Sequence, residues 1–348
     1  MKITISGKDI RVFTISPRTA GLDSYRCHLE QTIRLSEEYA CTGILIYTGN
    51  DTYLEPWCVA QMMMERTSSL SPLVAVNPVY LHPFTAARLS ASFAYLYRRP
   101  VFLNMVTGAA ISQLEALGDS CSHDDRYERM REYLLIMKGL VGSSRPFSFE
   151  GRFYRVKNLQ LPVDVSPELQ PCFVLAGQSS AARRICNMSG AVGMHMLHSG
   201  LEHAIAESRG IHFGIVTRPT SNDAWKAARA LFPPDEDGRE IVDLSMGNTD
   251  SVWKFRMRFE AEQPDISESG YWLEPFRNAR ADCPYFVHCY ERTASLIAGL
   301  IRGGVDMFIL DIPASDEEYH HVAKAFSLAR HSLCSATDLT PRAVPFAP

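Results

Sequence analysis

The sequence predicts an α/β protein built as a (β/α)8 TIM barrel with insertions. Short apolar runs alternate with longer amphipathic ones along the chain, giving about eight strand–helix units without an internal repeat. No G-x-G-x-x-G follows the first strand and no P-loop G-x-x-x-x-G-K-S/T occurs, which weakens the open nucleotide-binding sheets as alternatives.

Taken in order, Ile10 to Ser16 reads as the first strand and Ser24 to Ala40 as a helix with Leu29 and Ile33 on one face. Thr42 to Gly49 is the second strand with its closing turn, Glu55 to Ser69 the second helix and Pro72 to Val76 the third strand. His82-Pro83 opens a helix to about Tyr97, proline suiting a first turn. Val101 to Gly108 is an apolar run between Pro100 and Gly108, as in a strand buried on both faces. A helix is expected over Arg126–Leu140, a hairpin around Gly151, and a strand at Cys172–Leu175 running into a helix over Ala181–Asn187. Ala191–Met196 and His212–Val216 read as strands and Ala224–Phe232 as a helix. Residues 233–282 are the least regular stretch, read as a long excursion or lid. Arg292–Arg302 and Asp316–Ala329 are helical around a last strand, Met307–Leu310. One barrel domain is thus expected over 1–334, followed by an extended tail, 335–348.

At 348 residues and 46% hydrophobic, the chain can bury a full core. A net charge of −4, without a basic run, gives no footprint for nucleic acid or an anionic membrane. No apolar segment is long enough to span a bilayer, and the first residues lack a signal-peptide core, so a cytoplasmic protein is expected. The nine cysteines are scattered and never in a C-x-x-C pair, which fits free thiols in a reducing compartment. Cys283, His288 and Cys289 lack a second ligand pair, and no metal site is expected.

Asn104 interrupts its apolar run, and a polar amide in a buried strand must find a partner. With Thr107 it stands at the strand's carboxyl end, where barrel enzymes bind ligands. Gly177, Ser179 and Ser180 lie between a strand and a helix. Their N–H and hydroxyl groups suit a phosphate at the positive helix end, although plain N-capping uses the same residues. His123, Arg126 and Tyr127 follow a polar loop at a helix start, where a solvated first turn is the alternative. His82 stands at a rim or merely starts its helix. His195 and His198 are three apart in a strand end and loop, which disfavours joint metal ligation. His212 starts a strand and is a candidate proton donor or acceptor.

The ordered set Thr42-Gly43-Ile44-Leu45-Ile46, Leu73-Val74-Ala75-Val76, Thr85-Ala86-Ala87-Arg88, Asn104-Met105-Val106-Thr107-Gly108, Ala176-Gly177-Gln178-Ser179-Ser180 and Asp223-Ala224-Trp225 resembles the bacterial-luciferase-like flavin monooxygenases. The resemblance is nearest to alkanesulfonate and pyrimidine monooxygenases and spans about residues 42–330. It implies reduced FMN from a separate reductase, dioxygen adding at the flavin C4a position, a small organic substrate and a homodimer. Ala75, Asn104, Thr107, His123, Arg126, Tyr127, Gly177, Ser179 and Ser180 would hold FMN, with His212 and His82 on the substrate side. The resemblance also places a cis peptide near Ala75-Val76, and an apolar face at Met62, Met63 and Met64 would suit the dimer.

Departures from the pattern concern the substrate. The sulfonate enzymes' cysteine is Thr52 here, a Tyr and a His fall on Ile312 and Ala314, and the sulfonate-closing arginine can be placed only near Arg277 or Arg280. A substrate other than an alkanesulfonate, more apolar and of natural-product-tailoring type, is expected. An F420-dependent oxidoreductase and a catalytically decayed flavin-binding subunit are the alternatives.

Overall fold

The computed structural model describes residues 1–5, 7–18, 21–200, 208–263 and 269–337. An N-terminal hairpin, β1 (Ile3–Ile5) against β2 (Lys8–Ile15), leads into α1 (Leu22–Glu38). Then follow β3 (Gly43–Ile46), α2 (Pro56–Arg66), β4 (Ser71–Val76), α3 (Pro83–Tyr97), β5 (Phe102–Met105), α4 (Ile111–Ala116) and α5 (His123–Val141). A side hairpin, β6 (Phe147–Glu150) and β7 (Arg155–Leu159), precedes β8 (Cys172–Ala176), α6 (Ser180–Ser189) and β9 (Val192–Met196). The second half holds β10 (Gly210–Arg218), α7 (Ser221–Leu231), α8 (Glu236–Met246), α9 (Val252–Ala261), β11 (Tyr271–Trp272) and α10 (Glu274–Arg277). It ends with β12 (Tyr285–Cys289), α11 (Tyr290–Arg302), β13 (Met307–Asp311) and α12 (Asp316–Thr337).

Eight parallel strands close the barrel in the order β2-β3-β4-β5-β8-β9-β10-β13, and β13 returns to β2 through pairs such as Phe308 with Val12. Side chains alternate along each strand. Phe13, Leu45, Leu73, Phe102, Val174, Met194 and Ile309 therefore fill the interior, while Val74, Leu103 and Leu175 pack outward against helices. Gly43 is required where β3 meets β4, because a Cβ there would overlap the Ser71 carbonyl oxygen at 1.6 Å.

The eight barrel strands are those legible in the sequence, and five readings change. Residues 233–282 are largely regular: Pro233-Pro234 end the previous helix, and the Asp235 side chain caps α8 by accepting from Gly238 N–H at 3.0 Å. β12 pairs with the distal half of β10, off the closed ring, and was hidden because Pro284 and two cysteines border its apolar core. Met63 and Met64 are core residues and Met62 packs against them, so this stripe is not a free dimer face. No cis peptide is present among the described residues, Ala75-Val76 included. Of the expected tail, 335–337 continue α12, and 338–348 lie outside the described residues.

The amino-terminal end of the barrel is tied by one carboxylate. Asp306 is buried and takes Arg11 at 2.5 Å and Arg209 at 2.5 and 3.0 Å, with Lys8 as a third cation. Burial opposes the Asp306 charge, but these cations outweigh it and hold its pKa below the usual carboxylate value. Asp306→Asn is expected to cost about 2 kcal/mol at pH 7, since two of the cations are half exposed and lose little. A depressed carboxylate stabilises above its unfolded pKa of about 4 and loses that contribution as pH falls through the folded value. Urea unfolding at pH 7 and pH 3 should therefore show the gap between wild type and variant narrowing in acid.

Candidate active site

Two residues beyond each interior packing position, the same alternation lifts a side chain into the carboxyl-end mouth. Ala75, Asn104, Ala176, Met196 and His212 reach it in this way and line one cavity of about 370 Å³. Loops and the first turns of helices supply much of the rest of its wall. Thr107, His123, Tyr127, Gly177 and Ser179 come from the β5, α5 and β8–α6 connections. The cavity thus gathers eight of the eleven site residues named from the sequence.

One corner is built for close approach. The Tyr127 hydroxyl faces Ser179 and Thr107, and burial raises its pKa. Gly177 sits at φ +142°, and a Cβ there would lie 2.4 Å from that hydroxyl, so only glycine admits the contact. Ser179 caps α6, accepting from Ala182 N–H at 3.2 Å, and the first-turn N–H groups of the helix open beside it. His123 stacks near Tyr127, with ring centroids 5.0 Å apart, and its Nδ1 bonds Asp124.

Three named residues take other places. Ser180 is the exposed first residue of α6 and is off the cavity wall. His82 caps α3, its Nδ1 accepting from Phe84 N–H at 3.2 Å, and its ring meets Tyr154; it too is outside the wall. Arg126 stands behind the wall, paired with Asp250 and donating to the Cys121 carbonyl at 3.0 Å. The physical reason lies in the cap. Ser122 accepts from Asp125 N–H and starts α5 at His123, one turn's part earlier than the periodicity suggested, so Arg126 turns away from the cavity.

Asp250 belongs to the α8–α9 segment, which roofs the cavity with Ser251, Val252, Trp253 and Lys254. The roof is pinned on both sides. Asn248 exchanges side-chain bonds with Ser112 at 2.7 and 2.8 Å, and Arg256 donates to Gln178 at 2.6 Å and touches His198 at 2.8 Å. These residues escaped the sequence reading because the segment has no strong periodic pattern.

Arg18 was also missed, although it follows the first strand as Thr107 follows its own. It binds Asp282 at 3.2 Å and Asp311 at 3.0 Å. Burial opposes its charge, yet the two carboxylates outweigh this and raise its pKa; Arg18 in turn depresses Asp282. Both are enclosed by protein yet remain wet through the mouth, at 29% and 57% exposed, so the pair is screened. Beyond them an outer chamber of about 620 Å³ shares Arg18, Tyr47, Thr48, Gln113, Lys254 and Asp282 with the inner cavity. Ile312, one of the replacements that suggested a more apolar ligand, is buried in the outer packing and does not line the cavity.

His212 is 7% exposed, and burial, reinforced by Arg18, pushes its pKa down to about 3. Its Nε2, Asn104 Oδ1 and Gln178 Nε2 are buried without hydrogen-bond partners, and all three residues line the same cavity. Buried polar groups are normally paired, so three orphans on one wall mark a place for a polar ligand. His195 lies at a small adjoining space, and no cluster of three or more metal-ligating groups occurs among the described residues.

Comparison with known proteins agrees with this geometry. The luciferase-like monooxygenase family profile matches residues 12–279. The chain is similar to the 4-(gamma-L-glutamylamino)butanoyl–BtrI acyl-carrier-protein monooxygenase BtrO of Niallia circulans, 29% identical over 302 residues, covering 84% of this chain and 88% of that protein. Its fold is similar to EDTA monooxygenase (EmoA) from Chelativorans sp. BNC1, with TM-score 0.68, 17% identity and coverage of 96% and 95%. It is also similar to the oxygenating constituent of 3,6-diketocamphane monooxygenase of Pseudomonas putida, solved with FMN, with TM-score 0.66, 14% identity and coverage of 91% and 97%. A family match over most of the chain, on a closed barrel whose mouth gathers the expected residues, places the protein among the luciferase-like monooxygenases, a family of flavin-dependent enzymes.

Proposed function

We propose that this chain is an FMN-dependent monooxygenase that takes reduced FMN from a separate reductase and uses dioxygen to oxidise an organic molecule. The three unpartnered buried atoms on one cavity wall carry this reading, because a flavin presents the donors and acceptors they lack. The inner cavity lies within the roughly 300–1,000 Å³ typical of a site for one small molecule.

Tyr127, Thr107, Ser179 and the first N–H groups of α6 would hold the phosphate, and Ala75, Asn104 and His123 the rest of the cofactor. Reduced FMN, when bound, supplies the electrons that activate dioxygen. The protein's part is then to orient and to keep the site dry: Val252, Trp253 and Met196 close the roof and wall against water. His212 stays neutral at working pH and offers Nε2 as a hydrogen-bond partner, holding or accepting one proton there rather than presenting a fixed positive charge. The name of BtrO gives it an acyl group on a carrier protein, which supports trying carrier-bound acyl thioesters before alkanesulfonates.

Anaerobic titration with FMN, reduced FMN and F420, followed by oxygen uptake with a flavin reductase present, decides the cofactor. Reduced FMN should bind most tightly and consume oxygen; tighter F420 binding without oxygen uptake would sink the proposal. Gly177→Ala should weaken FMN binding by about tenfold, because the new Cβ displaces Tyr127; an unchanged affinity would remove that corner from the flavin site. In a histidine-edited NMR titration the His212 ring should stay neutral from pH 8 to pH 5 and protonate only toward about 3. Because the unfolded ring takes a proton near pH 6.5 and the folded one does not, acidification below that value destabilises the fold, and His212→Gln should flatten this slope.

A further inference from the structure

The reading of the inner cavity as the flavin site leaves the outer chamber open beside it, and the following rests on that reading. We propose that the outer chamber is the substrate chamber and that it recognises a zwitterionic group, with a carboxylate at Lys254 and an ammonium at Asp51. The chamber is of one-ligand size in its own right and shares six wall residues with the inner cavity, so a molecule seated in it lies beside the proposed flavin site.

Charge accounting points to the ligand class. Five charged side chains line the chamber: Arg18, Asp51, Lys254, Arg280 and Asp282. Three of them are already closed within the protein, Arg18 by Asp282 and Asp311, and Arg280 by Asp235 at 2.6 Å. Among the described residues, Lys254 and Asp51 form neither an ion pair nor a hydrogen bond; the Lys254 ammonium lies 5.8 Å from the Trp253 ring centroid and feels the Asp282 carboxylate, whose ion pair is with Arg18. One cation and one carboxylate are thus left facing a common space.

Lys254 is also an unusual choice for its place. It is the third residue of α9, where the helix dipole disfavours a cation, and Ser251 provides no side-chain cap. A carboxylate arriving there meets both the ammonium and the positive helix end. The opposite wall is aromatic: Tyr25 and Tyr53 pack edge to face at 5.6 Å, with Tyr47 and Leu54 beside them. The complementary ligand therefore has an amino-acid-like charged end and an apolar body.

Norleucine, N-acetylnorleucine and norleucine methyl ester form a series that keeps both charges, the carboxylate only, or the ammonium only. Calorimetric titration of the FMN-loaded protein should give norleucine an affinity about tenfold above either blocked form. Asp51→Asn should erase the advantage over N-acetylnorleucine, and Lys254→Met the advantage over the methyl ester, a crossed pattern that general damage to the fold would not produce. 6-Aminohexanoate repeats the comparison, against hexanoate and hexylamine, with the charges further apart. Equal binding within both series overturns the proposal, as does selectivity that survives both substitutions or a probe that competes with FMN. FMN affinity is read in the same samples. Its loss would sink the cofactor reading, while the chamber's selectivity stays readable on the flavin-free protein.

Discussion

Closure of the sheet imposes a parity on every strand, and the site depends on it. In a ring of eight strands, side chains that point inward pack in layers, and a residue two places further toward the carboxyl end must point inward again. Phe102 fixes Asn104 and Met194 fixes Met196, while His212 stands two places beyond Gly210, whose missing side chain leaves room for Met194. A one-residue slip in β5 or β10 would turn Asn104 or His212 outward among helices and bring a large apolar side chain into the mouth. The buried orphans Asn104 Oδ1 and His212 Nε2 therefore follow from the same packing that stabilises the interior.

The barrel leaves its mouth open, and the excursion between β10 and β12 closes it. That segment packs Val242 and Met257 into the core and makes polar ties to three separate elements of the mouth: Asn248 to α4, Asp250 to Arg126 on α5, and Arg256 to the β8–α6 turn. Arg126 acts here through Asp250. Its buried guanidinium neutralises a carboxylate that would otherwise face the Tyr127 corner, where the proposed phosphate site needs positive potential.

Most of the barrel was legible because its strands are short apolar runs with a consistent partner rhythm. Asn104, Thr107, Tyr127, Gly177 and Ser179 were legible because a polar or glycine residue at a strand end or helix start breaks local expectation. The remaining site residues carry no such mark. Asp250, Trp253, Lys254 and Asp282 sit in a stretch whose helices are short and strongly charged, and tertiary contacts rather than periodicity bring them to the mouth. β12 failed for a related reason: a five-residue strand beside Pro284, ending in His288-Cys289, resembles a loop until β10 supplies its ladder. The arginines show the limit from the other side, since Arg126 reads as an anion binder in sequence and Arg18 carries no mark there. Only the folded chain shows that each already has its carboxylates.

These pairings give the cavity a direction. At the Tyr127 end the N-terminus of α6 presents N–H groups, and Arg126 offsets the charge of the nearby Asp250. At the Arg18 end the guanidinium is balanced by two carboxylates, and the neighbouring His212 is held neutral. On the proposed reading, the cofactor would lie with its phosphate against α6 and its ring system toward Asn104 and His212. The same balance explains why burying His212 without a partner is tolerable. A neutral imidazole costs far less to bury than an imidazolium, and a ligand hydrogen bond at Nε2 recovers much of what remains.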